Sequence, residues 1–277
     1  MTRAQKYEAF RALHARPGIF VIPNPWNAGS ARILTELGFE ALATTSAGYA
    51  FSVGRGDFSA DLTREGVLAN AKEIVEATDL PVSADMQDGF GRKPAACAET
   101  VRLAVEAGLA GGSIEDATGD DGDPIYDFSL AVERVAAAVE AARRHRFVLT
   151  ARAENFLHGR ADLGDTIVRL RAFAEAGADV LYAPGLPNLE AIREVCQAVS
   201  PKPVNALMGL KGATYSVEEL AAVGVKRVSV GGSLARAALG AFVRAAREIK
   251  ERGTFTYAAE AIPHAEVNAY MVKAKRG

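Results

Sequence analysis

The sequence predicts an α/β protein: a (β/α)8 TIM barrel with a C-terminal helical extension. Three observations lead there. Short β-branched runs alternate with longer amphipathic stretches along the whole chain, the pattern of parallel βαβ units. One phrase, helix end then Gly then strand start, recurs around Gly38, Gly108, Gly177 and Gly224. The 277 residues suit one closed barrel, with an open doubly wound sheet as the alternative.

The expected strands are Ile19–Ile22, Ala41–Thr45, Val82–Asp85, Gly111–Glu115, Phe147–Arg152, Asp179–Tyr182, Pro203–Ala206 and Arg227–Val230. Amphipathic helices are expected at Ala31–Leu37, Ala95–Ala107, Leu130–Arg144, Asp165–Ala176, Leu189–Val199 and Val217–Ala222. Glycine takes the left-handed position after a helix at no steric cost, so the repeated phrase marks repeated αβ joints. No linker or low-complexity stretch divides the chain. Residues 1–277 therefore read as a single barrel domain, with 254–277 as an extension that covers its own barrel or reaches a neighbouring subunit.

Composition narrows the function. Half the residues are apolar and the formal net charge is -2, with both signs interspersed. No basic stripe offers itself to nucleic acid. No charge-free apolar run is long enough for a bilayer, and the polar N-terminus lacks the apolar region of a signal peptide. The two cysteines, Cys97 and Cys196, stand far apart on expected helices. They form neither a disulfide framework nor a metal quartet, so a reducing, cytoplasmic setting is expected.

In such barrels the chemistry sits at the C-terminal ends of the strands. That rule selects Thr45-Ser46-Ala47-Gly48, Asp85-Met86-Gln87-Asp88, Glu115-Asp116, Arg152-Ala153-Glu154 and Asn205. Acids emerging together from apolar strands need a cation or a proton to neutralise them. Oxygen donors of this kind suit Mg2+, which makes Asp85 and Glu115 metal candidates; helix caps or ion pairs are the plain structural alternative. The planar guanidinium of Arg152 can hold a carboxylate through two hydrogen bonds, or it forms a salt bridge to Glu115 or Glu154. Ser46-Ala47-Gly48 can present backbone N–H groups to an anion. Gly231-Gly232-Ser233 reads as a phosphate-binding turn or, slightly better, as close packing of strand and helix. Trp26 walls the site or simply packs. His14, His145 and His158 are expected at the surface or at helix ends. No lysine falls in an expected strand, which counts against a Schiff-base aldolase.

Taken in order, these residues resemble the isocitrate lyase/phosphoenolpyruvate mutase superfamily. The resemblance runs from about Pro17 to Phe242. It rests on Asn24-Pro25-Trp26-Asn27-Ala28-Gly29-Ser30-Ala31, Thr45-Ser46-Ala47-Gly48, Gly54-Arg55-Gly56-Asp57, Ala84-Asp85-Met86-Gln87-Asp88-Gly89-Phe90-Gly91, Ile114-Glu115-Asp116 and Ala151-Arg152-Ala153-Glu154. It implies a barrel dependent on Mg2+, with Mn2+ as the alternative ion, that makes or breaks bonds beside a 2-oxo or 2-hydroxy carboxylate through a metal-held enolate. Asp85 and Glu115 would serve the metal, with Gln87 beside them. Ser46, Ala47 and Gly48 would bind the substrate's carboxylate and oxo oxygen. Arg152 would hold the enolate charge, Asp57 would organise the metal waters, and Asn205 would line the pocket. The resemblance further implies a homotetramer built by exchange of the last helix.

Two departures shape the expected reaction. Gln87 stands where the family usually has a second acid, which removes a negative charge and weakens metal binding; Asp88 next to it should point the other way. The lyases of the family carry a mobile Lys, Cys, Gly and His loop after the fourth strand, whereas here Ala117-Thr118-Gly119-Asp120-Asp121-Gly122-Asp123-Pro124 has none of Lys, Cys or His. A thiol acid is thus absent, which speaks against isocitrate or methylisocitrate cleavage. Gly185 also replaces a glutamate of those lyases. The expected activity is a Mg-dependent carbon–carbon lyase or decarboxylase acting on a small 2-oxo or 2-hydroxy dicarboxylate. A phosphonopyruvate- or phosphoenolpyruvate-type mutase or hydrolase, and an oxo-acid-binding barrel without catalysis, are the alternatives.

Overall fold

The computed structural model describes residues 1–57, 62–212 and 214–272. Helix α1 (Arg3–Ala15) starts at a capping box between Thr2 and Gln5. It is followed by β1 (Phe20–Ile22), α2 (Ala28–Glu36), β2 (Leu42–Ala43), α3 (Ser46–Ser52), α4 (Arg64–Ala77) and β3 (Val82–Asp85). The middle of the chain holds α5 (Pro94–Glu106), β4 (Gly111–Glu115), α6 (Phe128–His145), β5 (Val148–Arg152), α7 (Leu163–Ala176) and β6 (Val180–Tyr182). Then come α8 (Leu189–Ala198), β7 (Val204–Leu207), α9 (Val217–Ala222), β8 (Arg227–Ser229), α10 (Ser233–Arg252) and α11 (His264–Met271).

All eight strands are parallel and lie in the order β1-β8-β7-β6-β5-β4-β3-β2. The ring nearly closes on itself: Ala43 N–H donates to Pro23 O at 3.0 Å, and the Asn24 amide donates to Thr44 O at 2.9 Å, tying β2 to the end of β1. The expected (β/α)8 barrel is therefore the observed fold, and the open sheet is not.

The four repeated joints behave as their glycines require. Gly38, Gly108, Gly177 and Gly224 have φ of 87°, 91°, 108° and 97°, values that favour a residue without Cβ. The strands differ from expectation only by a residue or two at their ends. The larger differences are helices. α1 plugs the N-terminal end of the barrel: its Phe10 and Leu13 form a satellite core with Phe20, Ile22, Ala41, Ala110, Val148 and Val180, mostly strand-start residues. Ser46-Ala47-Gly48 is not an open loop but the first turn of α3, capped by Thr45.

The described part of the C-terminal segment returns to its own barrel. α11 lies against α2, where Arg32 donates to the carbonyl of Met271 and a Cβ on Gly29 would touch the Met271 side chain. The last residues of the expected 254–277 extension, 273–277, lie outside the described residues. No helix among the described residues is long and apolar enough to cross a membrane.

Candidate active site

Strand register builds the site. Glu115 pairs with Arg152, Arg152 with Tyr182, Tyr182 with Asn205, and Asn205 with Arg227. These five residues form one row across β4 to β8. Barrel strands are tilted and staggered, so the row descends. It begins at the last residue of β4, near the mouth, and ends at the first residue of β8, near the floor. All five line one cavity of about 170 Å³ at the C-terminal face, together with Asp85 and Ser46.

Arg152 is the hub. One of its Nη atoms lies 3.1 Å from Asp85 Oδ1 and 3.0 Å from Glu115 Oε2, and the other is 2.8 Å from Glu154 Oε1. Its Nε donates to the same Glu154 oxygen at 2.8 Å, and its guanidinium stands 4.9 Å from the Tyr182 ring centroid. Both sequence readings of Arg152 thus hold a part: it lines the cavity, and it pairs with Glu115 and Glu154. Burial opposes its charge, but Glu115, Glu154 and Asp85 outweigh that and hold its pKa above the ordinary arginine value. Burial pushes the Glu115 carboxyl well up; Arg152 opposes this, while Glu154 and Asp85 add to it.

The anion-binding segment is partly spent on the protein itself. Ser46 turns both its backbone N–H and its hydroxyl to Asp85 Oδ2, at 3.2 and 2.9 Å, and its hydroxyl lies 3.5 Å from Asp57 Oδ1. Asp57 and Ala47 line the cavity. Gly48 does not; its N–H donates to Thr45 Oγ1 at 3.2 Å. A Cβ at Gly48 would lie 2.7 Å from Thr45 Cγ2 and 2.8 Å from Trp26 Cβ. Gly48 is therefore needed for packing, and Trp26 packs there rather than lining the cavity.

Gln87 also stays off the cavity wall. It acts through its backbone: its N–H lies 3.4 Å from Asp85 Oδ1 and its carbonyl accepts from Glu115 N–H at 3.0 Å. That double contact needs a tight turn, and Gln87 has φ of 48°. Asp88 points away, as alternation predicts. It accepts from the Tyr126 hydroxyl at 2.9 Å and pairs with the buried Arg134 at 3.5 Å. In the Gly231-Gly232-Ser233 turn, Asn24 Oδ1 accepts from both Val230 and Gly231 N–H groups at 2.9 Å, and Gly231 and Gly232 line the cavity.

The gate after β4 folds on itself. Thr118 N–H donates to Pro124 O, and Ala117 bridges Ile125 in antiparallel fashion. Both cysteines are buried, on α5 and α8, and burial pushes each thiol up to about 11. Neither lines the cavity.

Tyr182, Arg227 and Ser229 are among the cavity residues that the sequence reading does not single out. Tyr182 ends β6, the one middle strand whose end was not searched for chemistry. Arg227 looked like the tail of a helix-to-strand joint, yet a charge in so short an apolar strand was itself a signal. His14 has the expected helix-end place, in the last turn of α1, where it is half-buried and wedged between Phe10 and Phe20, with Nε2 3.3 Å from Arg227. Burial and Arg227 push its pKa down to about 3.

The donor set can be tested against the divalent cation that the resemblance implies. Asp85, Glu115 and Glu154 converge on one guanidinium, an excess of negative charge. Glu154 Oε2 is buried with no hydrogen-bond partner. That excess fits a divalent cation. Among the described residues no group of three or more His, Cys, Asp or Glu forms a ready cage.

With this geometry in hand, comparison with known proteins is specific. Residues 10–250 match the family described as phosphoenolpyruvate phosphomutase. A lyase/mutase candidate from Burkholderia cenocepacia J2315 superposes with a TM-score of 0.94 at 58% identity, covering 98% of this chain and 96% of that one. The crystal structure of 2,3-dimethylmalate lyase gives a TM-score of 0.86 at 28% identity, over 99% of this chain and 96% of the other. The 2-methylisocitrate lyase of Escherichia coli is 30% identical over 77% of this chain and 74% of its own.

Proposed function

The chain belongs to the phosphoenolpyruvate mutase/isocitrate lyase superfamily, and from that premise we propose that it is a carbon–carbon lyase or decarboxylase of small 2-oxo or 2-hydroxy dicarboxylates. One observation carries the choice. The cavity combines an Arg152 hub, four carboxylates and a phenol, while neither of the chain's two thiols reaches it. Cleavage that relies on a cysteine acid has no cysteine to use. Loss of a β-carboxyl from an oxo acid needs an electron sink and no thiol.

Asp85 and Glu115 would hold a Mg2+ or Mn2+ ion, with Gln87 setting both through its backbone and Asp57 placed to organise bound water. The ion supplies Lewis-acid polarisation of a substrate oxygen. The remaining roles belong to the chain. Arg152 fixes a substrate carboxylate and offsets developing charge; such preorganised electrostatics is commonly the largest catalytic contribution. Ser46 keeps Asp85 oriented, and Ala47 and the Asn205 side of the cavity wall the substrate. Trp26 and Gly48 shape this wall from behind. A cavity of about 170 Å³ matches a substrate of a few carbons.

Oxaloacetate and 2-alkylmalates with Mg2+ test the reading. Turnover well above the metal-only background supports it. Background rates for all of them, with metal binding intact, would refute it. The family match to phosphoenolpyruvate phosphomutase favours a second reading, phosphorus–carbon chemistry, followed by 31P NMR on phosphonopyruvate. Asp120, Asp121 and Asp123 in the gate oppose a phosphonate dianion. Oxo-acid binding without product, seen by calorimetry, would instead mark a binding protein.

We place the protein in the cytoplasm as a homotetramer, the barrel and its 254–277 extension forming one domain. The support is a long α10 whose Leu239, Phe242 and Val243 are exposed, Phe242 at 68%, a patch suited to burial between subunits. Light scattering reads the assembly directly.

A further inference from the structure

We propose that Tyr182 is the proton donor to carbon in this cavity, held for that task by a chain of side chains that starts at Arg227. The inference deepens the lyase or decarboxylase reading and rests on it.

The sense of the chain follows from donor and acceptor chemistry. Arginine can only donate. Arg227 Nε lies 2.8 Å from Asn205, so the Asn205 carbonyl oxygen must face it. That fixes the amide, whose orientation only its neighbours can decide. Asn205 Nδ2 is thereby turned to Ser229 Oγ, to which it donates at 2.9 Å. With that oxygen accepting, the Ser229 hydroxyl is left to donate onward. The Ser229 side chain also hydrogen-bonds the Tyr182 phenol, and its hydroxyl proton, not used on Asn205, is available to donate there. With Ser229 donating in this way, the Tyr182 O–H is left free to turn to another acceptor. The nearby carboxylate does not take it, because Glu154 Oε2 has no partner. The ring is pinned by Arg152 on one side, and the residue lines the cavity. The hydroxyl is thus a donor directed at whatever the cavity holds.

Among the described residues no acid pairs with Arg227. Its partners are Asn205, Thr150 and His14, all neutral. Nδ1 of His14 lies 2.8 Å from the Phe10 carbonyl, which only accepts, so that nitrogen carries the proton and Nε2 accepts from Arg227. A buried unpaired cation is costly. Here it gives the whole relay one direction.

The step balances. Breaking the carbon–carbon bond leaves its electron pair on the substrate fragment as an enolate. The Tyr182 O–H bond breaks, its proton forms a new C–H bond, and the enolate becomes the product. The phenolate left behind is held by the Ser229 hydroxyl and Arg152 until water returns a proton. Burial pushes the phenol pKa above its ordinary value. Tyr182 therefore stays protonated at neutral pH and yields its proton to a strongly basic carbon.

The test follows C3 hydrogen–deuterium exchange of pyruvate in D2O by NMR, which reads proton transfer to and from carbon without any carbon–carbon cleavage. The wild-type protein with Mg2+ should catalyse exchange, and Tyr182→Phe should slow it about 100-fold or more while binding oxalate as before. Product formed in D2O from an oxaloacetate carrying an alkyl group at C3, where the protonated carbon becomes a CHD stereocentre, should be deuterated on one face by the wild type and on both by Tyr182→Phe. Ser229→Ala, which keeps the phenol but removes its donor, should slow exchange about tenfold and serves if Tyr182→Phe does not fold. Exchange within threefold of wild type in these variants overturns the proposal. Exchange that depends on Tyr182 in a protein that cleaves no dicarboxylate retains Tyr182 and refutes the cleavage reading. A wild-type protein that performs no exchange overturns the proposal too.

Discussion

Replacing Arg227 with Met should leave stability nearly unchanged while reducing turnover, an unusual combination for a buried ion. The charge is buried with no carboxylate paired to it among the described residues, and burial lowers its pKa to about 10. From an ordinary 12.5, that represents roughly 3 kcal/mol of strain on the folded state. The sign follows from linkage. The folded protein binds this proton less tightly than the unfolded chain, so the penalty is complete at every pH below about 10. Met removes the charge and the penalty together. It also strands the Asn205 carbonyl, at a cost of about 1–3 kcal/mol. The two effects nearly offset, so the melting temperature should move by no more than ~6 °C for a chain of this size. Removing one member of a buried ion pair instead costs about 3–5 kcal/mol, a drop of ~10 °C or more. Function should respond differently. With its anchor gone, the Asn205 amide can flip, Ser229 can reverse, and Tyr182 loses its direction. C3 exchange should fall about tenfold or more, with KM for the substrate changed less than kcat. A large loss of melting temperature, or exchange at the wild-type rate, would refute the assignment of Arg227 as a positioning residue.

Other outcomes follow from the same geometry. Asp85→Asn and Glu115→Gln should each weaken Mn2+ binding by at least tenfold in calorimetry, whereas Gln87→Ala, which keeps the backbone contacts, should change it by less than threefold. His14 is held neutral down to about pH 3, so between pH 6.5 and 3 the unfolded chain takes up a proton that the folded one refuses, and stability falls as pH falls. At pH 5 this amounts to about 2 kcal/mol, and His14→Gln should lessen the drop in melting temperature between pH 7.5 and 5. Gly111→Ala should lower the melting temperature by ~6 °C or more, because its Cβ would lie 2.7 Å from both Phe10 Cε1 and the Val148 carbonyl, and backbone cannot step aside. Gly56→Ala, with nothing within 4 Å, is the matched control.

Most of the barrel could be read along the chain because each βα unit is local. Periodicity changes from strand to helix within a few residues, and the Gly38, Gly108, Gly177 and Gly224 joints repeat. α1 escaped because it is short on apolar residues and earns its place by covering the barrel floor, a tertiary fact. α3 escaped because Ser46-Ala47-Gly48 has the composition of a turn, and only the Thr45 cap and the packing of Gly48 on Trp26 make it helical. Among site residues, Asp85, Glu115 and Arg152 were legible from the strand-end rule. Tyr182 needed the same rule applied to β6. Arg227 is different in kind. It sits at the wrong end of its strand for that rule, and it reaches the cavity only because the barrel's stagger carries one register row from mouth to floor.

That row also explains how the site tolerates Gln87. A carboxylate there would add one more negative charge beside a cluster whose Glu154 Oε2 is already buried without a hydrogen-bond partner. The neutral residue contributes by shape instead. At φ of 48° its peptide N–H and carbonyl each contact one of the two acids, binding β3 to β4 at the mouth. Acid placement is thereby separated from side-chain charge: the Gln87 backbone contacts position both acids. Gln87→Gly should keep the turn, since glycine adopts positive φ freely, and so retain most activity. Gln87→Val, β-branched and strained at that φ, should displace both acids and weaken metal binding and turnover together by at least tenfold. Equal behaviour of the two variants would show that the side chain, and not the turn, is what the site uses.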